Sequence, residues 1–393
     1  MFVEPDRRDC GNDKTRGEKS WNLCRSSKNS GGIMEVNKNI IICSRPNDKF
    51  GFFGWPSVAR QADGTLVAVA SGLRHAHVCP WGRTVLFKSH DEGKTWTEPV
   101  VVNNTPLDDR DAGIISLGGQ RLAITWFTSN TYSYKREFKD SVTGQWDAEH
   151  QEVGAVLDEW DDDMINRHLG SWIRVSADGD AWGEIRRASV TSPHGFIVLR
   201  DGSWLYFGKQ WAFSQNGLQT TMRHDVPVIA ARSTDEGCTW TTLGEVPYTD
   251  KEEDHACEAH VVELDNGELL GAVRIDNPYR TLFTRSSDGG LTWSKMSDVG
   301  INSAPPHLMR HSSGAIICTY GYRVEPYGER ARVSFDGGKT FDREIVLRDD
   351  APYGDLGYAA TMERSDGTLF TVYYQRLWKA EEQASLLGTI WNL

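Results

Sequence analysis

The sequence predicts an all-β protein, and three observations favour a six-bladed β-propeller. The chain of 393 residues contains 38 glycines and 15 tryptophans, and its helical periodicity is weak, as in proteins made of many short strands and tight turns. One turn motif recurs five times, and one strand-turn-strand pattern recurs six times. Small antiparallel sheets bury their faces only against neighbouring sheets, so a closed ring of six satisfies all of them.

The five-fold motif has the form Ser-x-Asp-x-Gly-x-Thr-Trp. Its copies are SHDEGKTW (89–96), STDEGCTW (233–240), SSDGGLTW (286–293), SFDGGKTF (334–341) and a shortened SADGDAW (176–182). In such a turn the Asp side chain accepts backbone N–H hydrogen bonds, the Gly adopts a positive φ, and the aromatic ring packs back onto the strands. Five copies in one chain indicate a repeat architecture.

The six-fold pattern is a strand that ends at a turn glycine and resumes as an apolar strand. The glycines are Gly64, Gly119, Gly202, Gly267, Gly314 and Gly367. The residues nine positions earlier are Trp55, Arg110, Pro193, Glu258, Pro305 and Tyr358. Because the innermost strands of a propeller begin at one rim of a central channel, we expect these residues to face a common funnel. There Glu258 could deprotonate the Tyr358 phenol, whose pKa is ordinarily about 10.

The domain organisation follows from the same pattern. Residues 1–35 are polar and unpatterned and predict a loose arm, and residues 36–393 predict a single propeller domain. The spacing between repeats doubles in the second module, which predicts an insertion at about 129–168. Its acidic run, Asp161 to Asp163, lacks the spacing of a calcium loop and is better explained as a solvated face.

Charge and composition exclude several classes of function. A net charge of −12 argues against a nucleic-acid partner, although a pocket with local arginines could still bind an anionic small ligand. No apolar run is long enough to span a membrane, and no signal sequence is recognisable, so a cytoplasmic location is expected. The seven cysteines are scattered without metal-binding spacing, which predicts free thiols and no metal or cofactor.

Taken together, these motifs resemble the sialidase (neuraminidase) superfamily over roughly residues 40 to 380. The turn copies match the Asp-boxes of that family, and CEAHVVELDNGELLGAVR is similar to its catalytic-glutamate strand followed by a ligand arginine. The resemblance implies that Glu258 is the catalytic glutamate and that Arg274 binds substrate. It likewise implies that Tyr358, in GYAATMERSDGTLFTVYYQ, is the nucleophile, and that Arg323, in CTYGYR, is a second ligand arginine. The implied fold is a propeller of the sialidase type.

That resemblance also explains why these residue types are needed. The anomeric carbon of a 2-keto sugar acid carries a carboxylate, which would repel an anionic nucleophile, and sialidases use a neutral tyrosine instead of a second carboxylate. Arginines hold the carboxylate of the sugar through paired hydrogen bonds that lysine could not reproduce.

The first module departs from the family pattern. Gly54 stands where the family has an arginine, and no Asp or Glu lies between Asp63 and Asp91, where its acid/base aspartate is expected. Two explanations for the missing arginine and aspartate remain open. Either Arg74 or Arg110 replaces the missing cation while His75 or His77 supplies the proton, or the site has changed its chemistry to elimination on a uronic acid.

Further candidates have structural alternatives. Trp55 and Trp81 could stack on a sugar ring or pack in the core, and Arg274 could form a structural ion pair. His194, His260 and His307 could face the channel, and Asp355 is a spare acid.

Three functions therefore remain open from the sequence. The first is an exo-acting retaining glycoside hydrolase, exo-α-sialidase-like, that removes a terminal acidic sugar. The second is a polysaccharide lyase acting on uronic-acid glycans, and the third is a carbohydrate-binding propeller without catalysis.

Overall fold

The protein forms six β-sheets, which follow one another along the chain as the blades of a six-bladed propeller. The computed structural model describes residues 36–130, 139–140, 143–148, 150–213, 219–222, 227–248, 256–276 and 278–393. The predicted arm at residues 1–35 lies outside this range. This six-bladed arrangement confirms the predicted fold class. We number the blades 1 to 6 in chain order.

Each blade is antiparallel, and its first strand is the innermost. Strand β1 (Val36–Cys43) comes first in the described chain. Blade 1 contains β2 (Phe52–Arg60), β3 (Leu66–Arg74), β4 (Arg83–Ser89) and β5 (Val100–Asn103). Blade 2 contains β6 (Asp108–Ser116), β7 (Leu122–Ser129), β8 (Gly170–Ser176) and β9 (Arg186–Ala188). Blade 3, the irregular one, contains β10 (Val190–Thr191), β11 (Ile197–Val198), β12 (Trp204–Phe213), β13 (Gln219–Met222), β14 (Ile229–Ser233) and β15 (Thr241–Glu245).

The remaining blades have four strands each. Blade 4 contains β16 (Ala256–Glu263), β17 (Leu269–Ile275), β18 (Arg280–Ser286) and β19 (Ser297–Ile301). Blade 5 contains β20 (Pro306–Arg310), β21 (Ile316–Tyr322), β22 (Gly328–Ser334) and β23 (Arg343–Arg348). Blade 6 contains β24 (Gly357–Glu363), β25 (Leu369–Gln375) and β26 (Ser385–Trp391), and β1 completes it by pairing antiparallel with β26.

The segment between β7 and β8, where the insertion is predicted, contains two short helices. They are α1 (Gln151–Asp158) and α2 (Asp162–His168). The side chain of Asp161 accepts a hydrogen bond from the Met164 N–H at 2.7 Å and so caps α2. Val153 and Leu157 of α1 are buried against Trp211 of blade 3 and neighbouring apolar side chains.

The recurrent turns have the predicted geometry and join the last two strands of blades 1 to 5. In the copy at 89–96, the Asp91 carboxylate accepts the Thr95 N–H at 2.9 Å, and Gly93 has a φ of 86°. In the copy at 233–240, the Thr239 hydroxyl and N–H hydrogen bonds lower the pKa of Asp235 to about 2.

In the turns of blades 1, 4 and 5 the aromatic residue packs on the preceding blade, so these turns also join two blades. The ring centroids of Trp293 and Phe207 are 4.5 Å apart, and those of Phe341 and Phe283 are 4.9 Å apart. The buried apolar clusters likewise span neighbouring blades; one of them joins Phe53 of blade 1 to Phe370 of blade 6. The core is therefore a series of inter-blade layers around the ring.

Two composition-based expectations can be compared with the described residues. Cys43, Cys79, Cys238, Cys257 and Cys318 are free thiols, as predicted. Among these residues, no helix has the length and apolar character needed to cross a bilayer.

Candidate active site

Four innermost strands begin with the same backbone distortion. The pairing register of β2, β6, β16 and β24 shifts near the start of each strand. A non-glycine residue with positive φ lies at each shift: Trp55 (53°), Asp111 (49°), Glu258 (35°) and Tyr358 (53°). A β-bulge redirects one side chain out of the alternating pattern, and positive φ is costly for residues other than glycine. Strain of this kind is concentrated at functional sites, so its repetition makes the rim a candidate site.

The nine-residue count from the turn glycine is wrong by one residue in blade 2. In blade 1, the N–H that closes the hairpin belongs to Gln61, three residues before the turn glycine Gly64. The equivalent N–H in blade 2 is that of Leu117, which lies three residues before Gln120 rather than before Gly119. The bulge position is therefore Asp111, and Arg110 precedes it.

Glu258 and Tyr358 meet across the ring although they are 100 positions apart in the sequence. The phenol of Tyr358 donates a hydrogen bond to Glu258 Oε1 at 2.6 Å. Arg274 donates to the other carboxylate oxygen of Glu258, and its Nη1 lies 3.4 Å from the Tyr358 hydroxyl. The structure thus brings together the base, the phenol and the cation that the resemblance implies.

The environment of Tyr358 keeps its phenol protonated. Burial raises its pKa well above the usual value, and the negative charges of Glu258 and Asp111 act in the same direction. Arg274 and Arg323 oppose this shift without overcoming it. Tyr358 is therefore a neutral hydroxyl at rest and can act as a nucleophile only if its proton leaves as it attacks.

A second predicted arginine lies on the same side of the site. The Arg323 guanidinium is 5.8 Å from the centre of the Tyr358 ring, and both it and Arg274 lie over the Tyr279 ring, at 5.7 and 5.4 Å. Arg323 Nη2 also donates to the Leu356 carbonyl at 3.0 Å, which fixes the side chain. Two cations are therefore held beside the Tyr358 phenol.

Arg74 lies in a different environment. It is fully buried, and its two terminal nitrogens lie 2.5 and 3.0 Å from the carboxylate oxygens of Asp108, which is also fully buried. Gly82 covers this pair so closely that a Cβ at residue 82 would lie 2.1 Å from both partners. A ligand in the funnel could not contact Arg74 in this arrangement, so its placement does not support the predicted role in substrate binding.

Arg110 and Trp55 lie between the buried ion pair and the funnel. The Arg110 guanidinium lies 4.3 Å from the centre of the Trp55 ring, and its side chain is 13% exposed. Trp55 is only 2% exposed, because Arg74 covers it as well, at 4.8 Å. The Trp55 ring has little surface left for a sugar, whereas Arg110 is the more accessible cation of this side.

The two histidines of blade 1 have different surroundings. The His77 Nδ1 lies 3.1 Å from Asp355, and its ring meets the Trp55 ring edge-on at 4.9 Å. Burial, together with the charges of Arg110 and Arg74, lowers the pKa of His77 despite the attraction of Asp355. His75 is exposed and its ring packs against Trp81, 6.0 Å away.

Asp355 is held as a carboxylate. Burial opposes its ionisation, but the hydrogen bonds from His77 and from the Tyr374 hydroxyl, at 2.7 Å, lower its pKa below the usual range. This placement disfavours Asp355 as a proton donor.

Asp111 is the residue at the rim that sequence reasoning missed. It is 7% exposed, and within the described part of the chain its Oδ1 has no hydrogen-bond partner. Burial raises its pKa to about 7, and the charge of Glu258 adds to the shift while Arg110 and Arg74 oppose it. Counting eleven residues back from the first residue of the second strand, Leu122, would have identified Asp111, and the same count gives Tyr358 in blade 6.

The three histidines predicted to face the channel form a separate cluster. The ring centroids of His194, His260 and His307 lie 4.5 to 5.8 Å apart, and all three side chains are buried. The Nδ1 of His260 accepts the Leu308 N–H of blade 5 at 3.1 Å, and that of His307 accepts the Thr361 N–H of blade 6 at 3.3 Å.

Because an imidazole nitrogen that accepts a hydrogen bond leaves the proton on the other nitrogen, His260 and His307 are held as neutral Nε2–H tautomers. This tautomer cannot offer Nε2 to a metal ion. Among the described residues no group of three or more His, Cys, Asp or Glu is arranged to hold a metal. The cluster joins blades rather than forming a metal centre.

Comparison with known proteins agrees with this architecture. Residues 151–371 match the family model described as the BNR repeat-like domain. A search of curated protein sequences returns no match.

Several solved structures share the fold at low sequence identity. A protein of unknown function from Dyadobacter fermentans is 21% identical, with a TM-score of 0.68 over 92% of this chain and 99% of that one. The NanB sialidase of Streptococcus pneumoniae is 14% identical, with a TM-score of 0.62 over 90% of this chain and 70% of that one. The α-L-arabinofuranosidase Arb93A of Fusarium graminearum is 12% identical, with a TM-score of 0.58 over 90% and 96%. The fold is thus a sialidase-like BNR-repeat propeller that these different proteins share.

Proposed function

The chain belongs to the BNR repeat-like domain family, and from that premise we propose that it is an exo-acting retaining glycoside hydrolase that removes a terminal acidic sugar such as sialic acid. The observation that carries the proposal is the 2.6 Å hydrogen bond from the Tyr358 phenol to Glu258, with Arg274 in contact with both groups. A binding site without chemistry has no need of a buried phenol paired with a base.

The first step forms a covalent intermediate. The Tyr358 oxygen attacks the anomeric carbon while its proton passes to Glu258 Oε1, and the bond to the leaving oxygen breaks. Since the phenol is neutral before attack, it can approach a carbon that carries a carboxylate without charge repulsion. Water then displaces the tyrosine from the opposite direction, so the anomeric configuration is retained.

The cations at the rim support an acidic substrate. Arg274 and Arg323 lie beside the nucleophile, and the side chain of Arg110 is partly exposed on the opposite side. Guanidinium groups bind a carboxylate through two parallel hydrogen bonds, which fixes its position as well as its charge. The absence of an arginine at Gly54 leaves Arg110 as the cation that could serve on the blade 1 and 2 side.

A labelling experiment tests the proposal. The purified protein is assayed against 4-methylumbelliferyl glycosides of N-acetylneuraminic acid, Kdo and glucuronic acid, with fluorescence and ultraviolet absorbance recorded together. We expect release of the fluorophore without an unsaturated product, and a fluorinated analogue of the accepted sugar should label the peptide that contains Tyr358. Y358F should abolish both, whereas Y373F, at a buried tyrosine hydrogen-bonded to Thr389, should retain both.

Two outcomes would contradict hydrolysis through Tyr358. Ultraviolet absorbance from an unsaturated sugar would indicate elimination on a uronic acid. Saturable binding of an acidic sugar without turnover by the wild-type protein would indicate a carbohydrate-binding propeller.

A further inference from the structure

The proposed hydrolysis requires a proton at the leaving oxygen, and the pair at the nucleophile does not supply it. The proton of Tyr358 passes to Glu258, and Arg274 and Arg323 are permanent cations that do not donate protons in this range of pH. His77 is hydrogen-bonded to Asp355, and its lowered pKa leaves its imidazole mostly neutral at pH 7. The site therefore needs another acid.

Asp111 has the backbone position of a rim residue. It lies in the bulge of β6, between the paired residues Arg110 and Gly113, with a φ of 49°. Glu258 and Tyr358 lie in the corresponding bulges of blades 4 and 6 with the same sign of φ. A strained conformation of this kind costs about 1 to 3 kcal/mol and persists where the surroundings enforce it. The backbone of blade 2 therefore presents Asp111 to the funnel as blades 4 and 6 present their residues.

The side chain of Asp111 is buried and incompletely satisfied. Its Oδ1 has no hydrogen-bond partner within the described residues, whereas the neighbouring buried carboxylate Asp109 accepts hydrogen bonds from Asn103, Thr105 and Thr128. Buried polar atoms are almost always paired, so an unpaired one at a functional rim indicates a ligand contact. A substrate oxygen would supply the missing hydrogen-bond partner of Asp111.

The electrostatics of Asp111 allow it to hold a proton at neutral pH. Burial raises its pKa to about 7, with the charges of Glu258 and Asp108 acting in the same direction and those of Arg110 and Arg74 opposing them. A large fraction of the side chain is therefore protonated in neutral solution. Two carboxyl groups whose surroundings separate their protonation states are the usual arrangement for an acid and a base in one site.

We propose that Asp111 is the general acid of the site, which protonates the leaving oxygen and later accepts a proton from water. The assignment rests on the proposed glycoside hydrolase function. In the first step the glycosidic C–O bond breaks, the leaving oxygen takes the Asp111 proton, and Tyr358 bonds to the anomeric carbon as its proton moves to Glu258. In the second step water bonds to that carbon and gives a proton to Asp111, the bond to Tyr358 breaks, and the phenol recovers its proton from Glu258.

Leaving-group dependence tests this role. D111N is assayed with 4-methylumbelliferyl N-acetylneuraminide, whose aryloxide leaves without assistance, and with 3′-sialyllactose, whose sugar alkoxide needs a proton. We expect kcat/KM to fall by about 10²- to 10⁴-fold for sialyllactose and by less than about tenfold for the aryl glycoside. The descending limb of the pH profile, near pH 7 in the wild type, should disappear in the variant.

The controls separate a chemical role from a structural one. D109N removes a buried carboxyl whose pKa burial also raises to about 7, but whose oxygens are used by hydrogen bonds within the protein, so it should lower stability and leave the ratio between the two substrates unchanged. Labelling of Tyr358 in D111N by a fluorinated sialosyl fluoride, which needs little acid assistance, checks that the variant is folded and that its nucleophile is intact.

Three results would overturn the assignment. Equal losses on both substrates in D111N, with normal labelling of Tyr358, would make Asp111 a structural residue. A large change in the substrate ratio in H77N and none in D111N would transfer the acid role to His77. In both cases the wild-type enzyme would still turn over, so the proposed function would stand. No wild-type turnover of sialyllactose or of any of the three aryl glycosides of acidic sugars would instead remove the proposed function and the assignment together.

Discussion

Arg74 and Arg274 are two buried arginines near the rim with opposite surroundings. Arg74 faces one carboxylate, Asp108, through both terminal nitrogens, and neither partner has exposed surface. Arg274 pairs with Asp276 at 2.6 Å and also contacts Glu258 and the Tyr358 hydroxyl, where the proposed reaction would take place. The comparison teaches that burial of an arginine does not reveal a ligand site, because the partner determines whether the charge is used within the protein or at the funnel.

The largest effect on stability is expected from breaking the buried ion pair of Arg74 and Asp108. D108N leaves the Arg74 charge buried without its partner, which should lower the free energy of unfolding by about 3 to 5 kcal/mol. Urea unfolding measures the change. The control is D180N, at an exposed pair with Lys88, where the loss should not exceed about 1 kcal/mol. Equal losses in the two variants would mean that the buried pair contributes no more than a surface one.

The cluster of neutral histidines should make the stability of the fold depend on pH, whereas the arginines stay charged throughout this range. Burial lowers the pKa of His260 to about 4, below the value of about 6.5 expected in the unfolded chain. As the pH falls below about 6.5, the unfolded state binds a proton that the folded state excludes, so stability decreases down to about pH 4. For His260 alone the loss is about 3 kcal/mol.

A substitution isolates this contribution from those of the aspartates. In H260N the amide oxygen can accept the Leu308 N–H but cannot titrate, so the variant should gain stability relative to the wild type as the pH falls from 7 to 4. Chemical unfolding at both pH values measures the difference. A constant difference between the two proteins across this range would show that His260 does not resist protonation.

At Arg274, which lies beside Glu258 and Tyr358, the substitution R274K should affect activity more than stability. Lysine keeps the charge but cannot contact Glu258, the phenol and a substrate carboxylate together, so kcat/KM should fall by about 10²-fold. R285K is the matched control in the same blade, because Arg285 pairs with Glu268 outside the site. A loss in R285K as large as that in R274K would point to a general effect on blade 4.

The smallest effect is expected at His75. Its ring is exposed and packs on Trp81, away from the pair of Glu258 and Tyr358, so H75A should leave kcat/KM within about twofold and the free energy of unfolding within about 0.5 kcal/mol. Steady-state kinetics and urea unfolding provide the two measurements. A tenfold loss of kcat/KM would return His75 to the list of proton donors.

Much of the fold could be predicted because its signals are local and repeated. Each Asp-box turn encodes its own hydrogen bonds, and the spacing of the strands fixes the number of blades. The meeting of Glu258 and Tyr358 was likewise predictable, since the hairpins of blades 4 and 6 have the same length and one count reaches the same bulge in both.

The rest depended on features that the sequence shows only indirectly. The turn of blade 2 has two adjacent glycines, Gly118 and Gly119, and the hairpin register rather than the glycine determines which residue occupies the bulge. The isolation of Arg74 could not be predicted either, because it results from Asp108 on the next blade and from the close approach of Gly82.

The pairing of β1 with β26 has a consequence for when the site can exist. Blade 6 takes its outer strand, β1, from the beginning of the described chain and its other three strands from the end. The ring is therefore closed by the pairing of β1 with β26, which lie more than 340 residues apart in the sequence. Trp55 and His77 lie on one side of the junction between blades 6 and 1, and Tyr358 and Asp355 lie on the other. During synthesis the surroundings of Tyr358 are incomplete until β26 has been made and has paired with β1. A nascent or clipped chain that lacks β26 should therefore be inert, because blade 6 cannot close without it.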